Sequence, residues 1–459
     1  MPSAAPGQHS AQPDLAPAIP HTVDETGVRR ALLEELALKI IYLEGELNLR
    51  QLAARMGLAA PVVEEIFQRL RRAQFCEVAG MDGSTYRVTA GAAGRARAQE
   101  LLSRNQYAGI APVSLDDYVA RVRRQSIGGT PVTPADVRRA FDALVLGEST
   151  LRQLGIAVLS GTSMVLYGPT GTGKTAIAER IPRIFDHQGV WIPHAVEVDG
   201  QIITVFDEHV HRRIEPLDDP RAPAAAPGAW GGVLRAAPGQ FGAITPDPRW
   251  VLCERPRVVV GGELTIEMLD LQFNPVTGFY TAPLQMKAND GLLILDDFGR
   301  QRIGPEELLN RWIVPLDRRV DFLTLQGGKK FEIPFGLLVV FSTNLDPSTG
   351  FSSERQAGIT DQAFLRRIPN KVRVGYVTPA QFHEVFRRAC GEFGVLYDHV
   401  VVEQLVGHLE TVLRQPLRPC YPRDILQQLT WEARYEGRTP QLRWDAVDRA
   451  CRTYFLETT

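Results

Sequence analysis

The octapeptide Gly168-Pro169-Thr170-Gly171-Thr172-Gly173-Lys174-Thr175 constrains this chain more than any other feature. It follows a short apolar run, Ser163 to Tyr167, and leads into Ala176-Ile177-Ala178-Glu179-Arg180-Ile181, which reads as a helix. Strand, glycine-rich loop and helix in that order gather many backbone N–H groups, and only glycine lets a backbone come so near a phosphate. On this reading Gly168 to Ala176 bind the phosphates of ATP. Lys174 would reach the β- and γ-phosphates, and the Thr175 hydroxyl would ligate Mg²⁺.

A second signal lies downstream. Leu292-Leu293-Ile294-Leu295 is a continuous apolar run ending in Asp296-Asp297, so a buried strand delivers two carboxylates to the carboxyl edge of a sheet. Asp296 would hold Mg²⁺, through its water shell, and Asp297 would polarise the attacking water. Leu337 to Phe341 reads as another buried strand, leading to Ser342-Thr343-Asn344. The Asn344 amide can orient that water, although an Asn ahead of Leu345-Asp346-Pro347 also suits an ordinary turn. Further on, Asp361-Gln362-Ala363-Phe364-Leu365-Arg366-Arg367-Ile368 carries two adjacent guanidinium groups. Arg366 and Arg367 suit stabilisation of transition-state charge from a neighbouring subunit; a solvated surface pair is the plainer alternative. Tyr421-Pro422-Arg423-Asp424 places one more arginine, Arg423, at the start of a C-terminal helix.

Around these motifs the chain changes character several times. Leu32, Leu33, Leu36, Ile40 and Leu43 recur at helical spacing up to Gly45. Leu49, Leu52, Ala53 and Met56 stripe a second helix that Gly57 stops, and a third starts at Pro61 and carries Val63, Ile66, Phe67 and Leu70. Two β-like runs follow, CEVAG and STYRVT, with a turn at Met81-Asp82-Gly83. Three helices and a hairpin are the order of a winged helix-turn-helix domain. Residues 28–104 have a mild basic excess, and Arg69, Arg71, Arg72 and Arg87 are candidate DNA phosphate contacts. Glu64 and Glu65 on the third helix argue against tight groove insertion, so protein docking and DNA binding both stay open. A helix start at Thr133-Pro134-Ala135-Asp136 opens a region of alternating strands and helices, with Lys371 to Val374 as its fourth buried strand. The segment Glu197-Val198-Asp199-Gly200-Gln201 reads as a hairpin turn. Residues from about 215 to 245 are dense in Pro, Ala and Gly, the composition of a mobile insert. Beyond Thr378 the pattern is helical.

Together, the phosphate loop, acidic strand end, Asn344, arginine pair and late Arg423 resemble the AAA+ ATPases, in an arc from about Thr133 to the C-terminus. Within that class the run PLQMKANDGLLILDD is similar to the MoxR-like and chaperone-associated branches. The resemblance implies an α/β P-loop NTPase sandwich with a parallel five-stranded sheet, a C-terminal helical lid and assembly into a ring, often hexameric. It makes Asn344 the first sensor, Arg366 or Arg367 the arginine finger and Arg423 the second sensor. It also exposes a departure, because the family usually has Glu where this chain has Asp297. The expected layout is a disordered Pro/Ala-rich tail (1–26), a small α+β winged-helix-like domain (27–105), a linker (106–134), the ATPase core (135–376) and the lid (377–459). Loops such as Asn274 to Tyr280 can line a ring's pore in this family, which makes Phe279 and Tyr280 candidate substrate grips, with hairpin packing the alternative.

Composition narrows the setting. Apolar residues make up 44% of the 459, enough for sizeable cores, and the net charge of −2 gives no global pull toward nucleic acid or acidic membranes. The five cysteines are scattered without a CxxC pair, so no disulfide framework or zinc ribbon is indicated. No run approaches the roughly 18 apolar residues of a membrane span, and the N-terminus lacks a secretory pattern, so a cytoplasmic protein without membrane insertion is expected. The expected function is an ATP-driven remodeller of proteins or protein complexes. The alternatives are an ATP-controlled DNA-binding regulator and a non-hydrolysing nucleotide-dependent scaffold, the last motivated by Asp297.

Overall fold

The computed structural model describes residues 16–83, 85–186, 188–214, 246–345 and 366–455. At the N-terminal end, α1 (Arg30–Glu44) buries Leu33, Leu36, Ala37, Ile40 and Ile41 and stops at Gly45, which takes a φ of 80°. A short strand, β1 (Glu46–Asn48), leads directly into α2 (Leu49–Met56). Asn48 starts α2 through a reciprocal capping box with Gln51. α3 (Ala60–Arg72), with a proline in its first turn, turns Val62, Val63, Ile66, Phe67 and Leu70 into the same core. β2 (Cys76–Asp82) and β3 (Thr85–Ala90) form the hairpin, and β1 completes an antiparallel sheet in the order β1-β3-β2. α4 (Ala92–Arg104) then closes this module against α1.

Two boundaries differ from the sequence expectation. Val23 and Thr26 are buried, and the Pro17 carbonyl accepts from the Asp247 N–H, so the chain is packed from within the stretch expected to be a disordered tail. Residues 106–134 are no linker either. They contribute β4 (Val113–Ser114) to a sheet, and α5 (Leu115–Arg124), capped by the Ser114 hydroxyl, buries Tyr118 and Val122. The causes differ: the apolar residues before Val28 show no period, whereas α5 does carry a helical stripe, Leu115, Tyr118, Val119 and Val122, that marks a packed helix and not a linker.

The next region begins with α6 (Pro134–Ala140), whose capping box joins Thr133 and Asp136, followed by α7 (Glu148–Leu159). β5 (Ser163–Tyr167) leads through the glycine-rich loop to α8 (Lys174–Arg180). β6 (Gly189–Pro193) is followed by β7 (Ala195–Val198) and β8 (Gln201–Thr204), which pair antiparallel around Asp199-Gly200. The insert expected at about 215–245 lies outside the described residues. Beyond it come β9 (Trp250–Glu254), antiparallel to β6, and β10 (Arg257–Val260). β11 (Gln272–Asn274) and β12 (Phe279–Thr281) make a hairpin before the short α9 (Leu284–Lys287) and β13 (Leu292–Leu295). α10 (Pro305–Arg311), α11 (Ile313–Arg318) and the hairpin of β14 (Val320–Thr324) with β15 (Lys330–Pro334) precede β16 (Leu338–Thr343) and β17 (Asn370–Arg373).

The central sheet is all parallel, five-stranded, in the order β10-β13-β16-β5-β17. Alternating side chains serve two cores, as a sheet covered on both faces requires. Leu292, Ile294, Leu338, Val340, Met164 and Leu166 meet Leu154, Val158 and Ile177 on one face. Leu293, Leu295, Val339, Phe341 and Val165 meet Phe298, Leu308 and Trp312 on the other. A second five-stranded sheet, β11-β12-β8-β7-β4, has no counterpart in the sequence reading beyond its one hairpin. Its strands are two to four residues long, too short for alternation to register.

The C-terminal part is helical. α12 (Pro379–Phe393) starts at a Thr378–Gln381 capping box and ends at Gly394, with a φ of 64°. α13 (His399–Thr411), α14 (Tyr421–Tyr435) and α15 (Trp444–Tyr454) complete a separate core around Phe382, Phe386, Leu405, Ile425 and Val447. Among the described residues no helix is long and apolar enough to cross a membrane.

Candidate functional site

The glycine-rich loop joins the carboxyl end of β5 to α8, beside the middle strand β16 of the parallel sheet. Two glycines are required by what surrounds them. Gly168 takes a φ of 146°, and a Cβ there would lie 2.1 Å from the Val374 carbonyl oxygen. Gly171 takes a φ of 80°, and a Cβ there would lie 2.7 Å from Cys420 Sγ and 3.3 Å from Arg418 Cδ. The loop is thus pressed between β17's exit and the entry to α14. Thr172 braces it by donating its hydroxyl to the Pro169 carbonyl at 2.9 Å. Pro169 and Thr170 form its outer turn, and Ala176 lies on the first turn of α8.

Lys174 points back across the loop. Its ammonium donates to the Gly168 and Pro169 carbonyls, both at 2.9 Å, and to Asn344 Oδ1 at 2.7 Å. Burial pushes its pKa down, while the Asp297 and Asp296 carboxylates push it up. Thr175 Oγ1 donates to Asp296, 3.0 and 2.9 Å from the two carboxylate oxygens. Asn344, just beyond β16, turns its amide toward Asp297, Nδ2 to Oδ1 3.5 Å. These contacts follow from the strand order. β13 lies beside β16, and β16 beside β5, so the residues just past three adjacent parallel strands meet at one edge.

Asp297 is exposed and sits at a φ of 48°, a left-handed conformation that Asp tolerates better than most residues. The turn around it is tied down from both sides. Gln301 donates its amide to the Asp296 carbonyl at 2.9 Å and accepts from the Gly299 N–H at 2.8 Å. The Thr343 hydroxyl donates to the Phe298 carbonyl at 2.8 Å.

The arginines separate. Arg366 is exposed, whereas Arg367 turns inward, its Nε 3.4 Å from Asp317, with only 22% of its side chain exposed. The residues before them, 361–365, lie outside the described residues. Arg423 is 71% exposed and 3.9 Å from Glu392, so its side chain lies on the surface of the helical part. Arg418 is the neighbour that sequence reasoning missed. It approaches Gly171, its guanidinium carbon lies 5.6 Å from the centre of the Tyr421 ring, and its buried Nε has no hydrogen-bond partner. The signal was present five residues before Arg423, in the same Pro-rich helix entry.

Tyr280 is buried, its hydroxyl accepting from the Gln326 N–H, and Phe279 packs edge-on against Tyr107 at 5.6 Å. This hairpin is packed core and not a free loop. In the N-terminal module, Arg69 pairs with Glu34 and Arg87 with Glu46, and Arg71 and Arg72 are exposed at the end of α3.

Comparison with known proteins gives partial matches. A family model described as "Magnesium chelatase, subunit ChlI" matches residues 142–245, which contain the glycine-rich loop. The vesicular-fusion protein SEC18 of Saccharomyces cerevisiae is 33% identical over 73 residues, 16% of this chain and 9% of that protein. These partial matches support a likeness to the AAA+ ATPases. The chain spans under a tenth of the length of that curated relative. A model described as "Domain of unknown function (DUF8689)" matches residues 378–453, from the start of α12 into the last turn of α15. Among solved structures, the RuvB Holliday junction branch migration motor of Thermotoga maritima is 14% identical, covering 67% of this chain and 69% of that one, with a TM-score of 0.34. NtrX of Brucella abortus in complex with ADP is 14% identical, covering 67% and 55%, with a TM-score of 0.37. Domain III of the Thermotoga maritima replication initiation protein DnaA is 12% identical, covering 71% and 100%, with a TM-score of 0.36.

Proposed function

We propose that this chain is an AAA+ ATPase that binds and hydrolyses Mg·ATP between subunits of a ring and uses the cycle to remodel proteins or protein complexes. The observation that carries the reading is the contact of Lys174 with Asn344, which itself reaches Asp297. One amide thereby touches both the phosphate-binding lysine and the carboxylate that would polarise water.

The residues present fit nucleotide and metal. Gly168 and Gly171 leave the backbone open where any Cβ would collide. The Thr175 hydroxyl and the Asp296 carboxylate are hard oxygen donors within 3.0 Å of each other, the pair that Mg²⁺ prefers. Bound there, Mg²⁺ would draw charge from the β- and γ-phosphates. Lys174 exchanges its carbonyl contacts for phosphate oxygens and keeps its charge despite burial through Asp296 and Asp297. Asn344 orients the water, Asp297 accepts its hydrogen bond, and Arg366 of one subunit serves the site of the next. The ion pairs of Arg69 and Arg87 favour a winged-helix-like module that docks protein over one that grips DNA.

The test is Mg²⁺-dependent ATP hydrolysis measured against protein concentration, with Lys174→Ala alongside. Turnover per chain that rises with concentration and vanishes in the variant is expected. Tight ATP binding with no turnover at any concentration would refute hydrolysis and leave a nucleotide switch.

A further inference from the structure

The helical part carries a cluster that the nucleotide site does not use. His383 lies on α12, and His399 and Glu403 lie one turn apart on α13, so they project from one face. One ligand atom from each of the three falls within 4.8 Å of the others. His383 Nε2 is 2.7 Å from Glu403 Oε2, and the centres of the two imidazole rings are 4.5 Å apart. Tyr397, on the connection between the helices, places its hydroxyl 2.8 Å from His383 Nδ1 and 3.4 Å from His399 Nδ1.

We propose that His383, His399 and Glu403 bind a divalent transition metal of the zinc class, which clamps α12 to α13. The donor set selects the ion. Two imidazoles and one carboxylate suit Zn²⁺ and its neighbours, whereas Mg²⁺ and Ca²⁺ take all-oxygen sites. Zinc bonds of about 2.0–2.1 Å in a tetrahedron hold ligand atoms roughly 3.4 Å apart, so separations of up to 4.8 Å close by at most about 1.4 Å and the 2.7 Å His383–Glu403 contact opens by about 0.7 Å. His399 can supply that movement, because it is the first residue of α13 and is exposed. Tyr397 occupies the supporting position. With its oxygen against His383 Nδ1, it fixes the tautomer that leaves Nε2 for the metal, the role outer hydrogen-bond partners play at histidine ligands. Three protein ligands leave a fourth position for water, and Phe382, Phe386 and Val402 are buried in the adjoining apolar core, so the metal would add a brace to that packing.

Zinc titration of the full-length chain, stripped with chelator and free of Mg²⁺ and nucleotide, tests this against a chromophoric competitor. One equivalent of Zn²⁺ is expected. His399→Ala and Glu403→Gln should each weaken it at least 100-fold, and Tyr397→Phe by about 10- to 100-fold. His399 and Glu403 are exposed, so these variants keep the fold, checked by unchanged circular dichroism and ATP binding. X-ray absorption of the zinc-loaded chain should show nitrogen and oxygen neighbours and no sulfur. Wild-type affinity no tighter than that of the His399→Ala/Glu403→Gln double variant overturns the proposal, as does zinc that the variants retain on a cysteine such as Cys420.

Discussion

Replacing Asp297 with glutamate tests the position where this chain departs from the acid usual in the AAA+ ATPases it resembles. The Asn344 amide nitrogen is 3.5 Å from Asp297 Oδ1, about 0.6 Å beyond an ordinary N–H···O contact. One methylene is enough to close that gap. A hydrogen bond to a charged group contributes about 1.5–3 kcal/mol when well made, and the stretched contact already supplies part of it. A gain of about 1 kcal/mol confined to the transition state, where Asn344 and the acid both hold the water, is about a fivefold rise in kcat. A competing effect has to be separated from it. At a φ of 48° the longer side chain is less tolerated than Asp, at a cost of about 1 kcal/mol. That cost falls equally on ground and transition states, so it lowers Tm by about 2–4 °C and leaves kcat alone. Steady-state ATPase kinetics and a thermal melt of Asp297→Glu, with Asp297→Asn as the floor, give both numbers. A kcat for the glutamate variant as low as that of Asp297→Asn would refute the reasoning, because the short carboxylate would then be the working geometry.

Other expectations follow from the same contacts. Gly168→Ala should abolish ATP binding in a fluorescent-nucleotide titration, since its Cβ would meet the Val374 carbonyl; binding within threefold of wild type would contradict the cradle. Arg366→Ala should retain ATP binding but lose about 10³-fold or more in turnover, whereas Arg367→Ala should act mainly on stability by breaking the Asp317 pair; the reverse pattern exchanges their roles. Lys39 is buried, and burial pushes its pKa down to about 8 from 10.5. Below pH 8 both folded and unfolded chains hold that proton. Between pH 8 and 10.5 the unfolded chain holds more, so its contribution to stability rises with pH. Lys39→Met should therefore stabilise at pH 7 and shrink the difference from wild type at pH 10, read from urea melts; a difference that does not change with pH would place the charged amine in solvent. Duplex DNA should not be retained by the full chain in low salt, and retention lost on Arg71→Ala/Arg72→Ala would reverse the choice of protein docking.

The parts of this protein legible in its sequence are those where one local rule dominates. Leu292 to Leu295 is buried on both faces, so an unbroken apolar run marks β13, and the loop glycines mark positions that no other residue can take. Gly45 and Gly57 end helices in positive-φ conformations, which is why the sequence bounds α1 and α2 closely. What stayed hidden depends on distant partners. Val113 and Ser114 are a strand only because Val196 and Glu197 lie beside them. Val23 is core only because other elements cover it. Arg423 matched a pattern, yet Arg418 is the arginine beside Gly171, a distinction made by how Cys420 and Tyr421 turn the chain. Leu43 fitted the helical stripe but lies past the core's edge, 57% exposed.

β4 gives the molecule a property that a string of domains would lack. Val113–Ser114 pairs with β7, the Ala111 N–H is held by the Met56 carbonyl, and the buried Arg249 donates to both the Thr26 and Pro112 carbonyls. The N-terminal module is thus stitched to the second sheet at several points along its exit and not hung from one. A tether dissipates force as slack; a stitched joint transmits it. Under the proposed function, a load held by the N-terminal module would move with that sheet as one body.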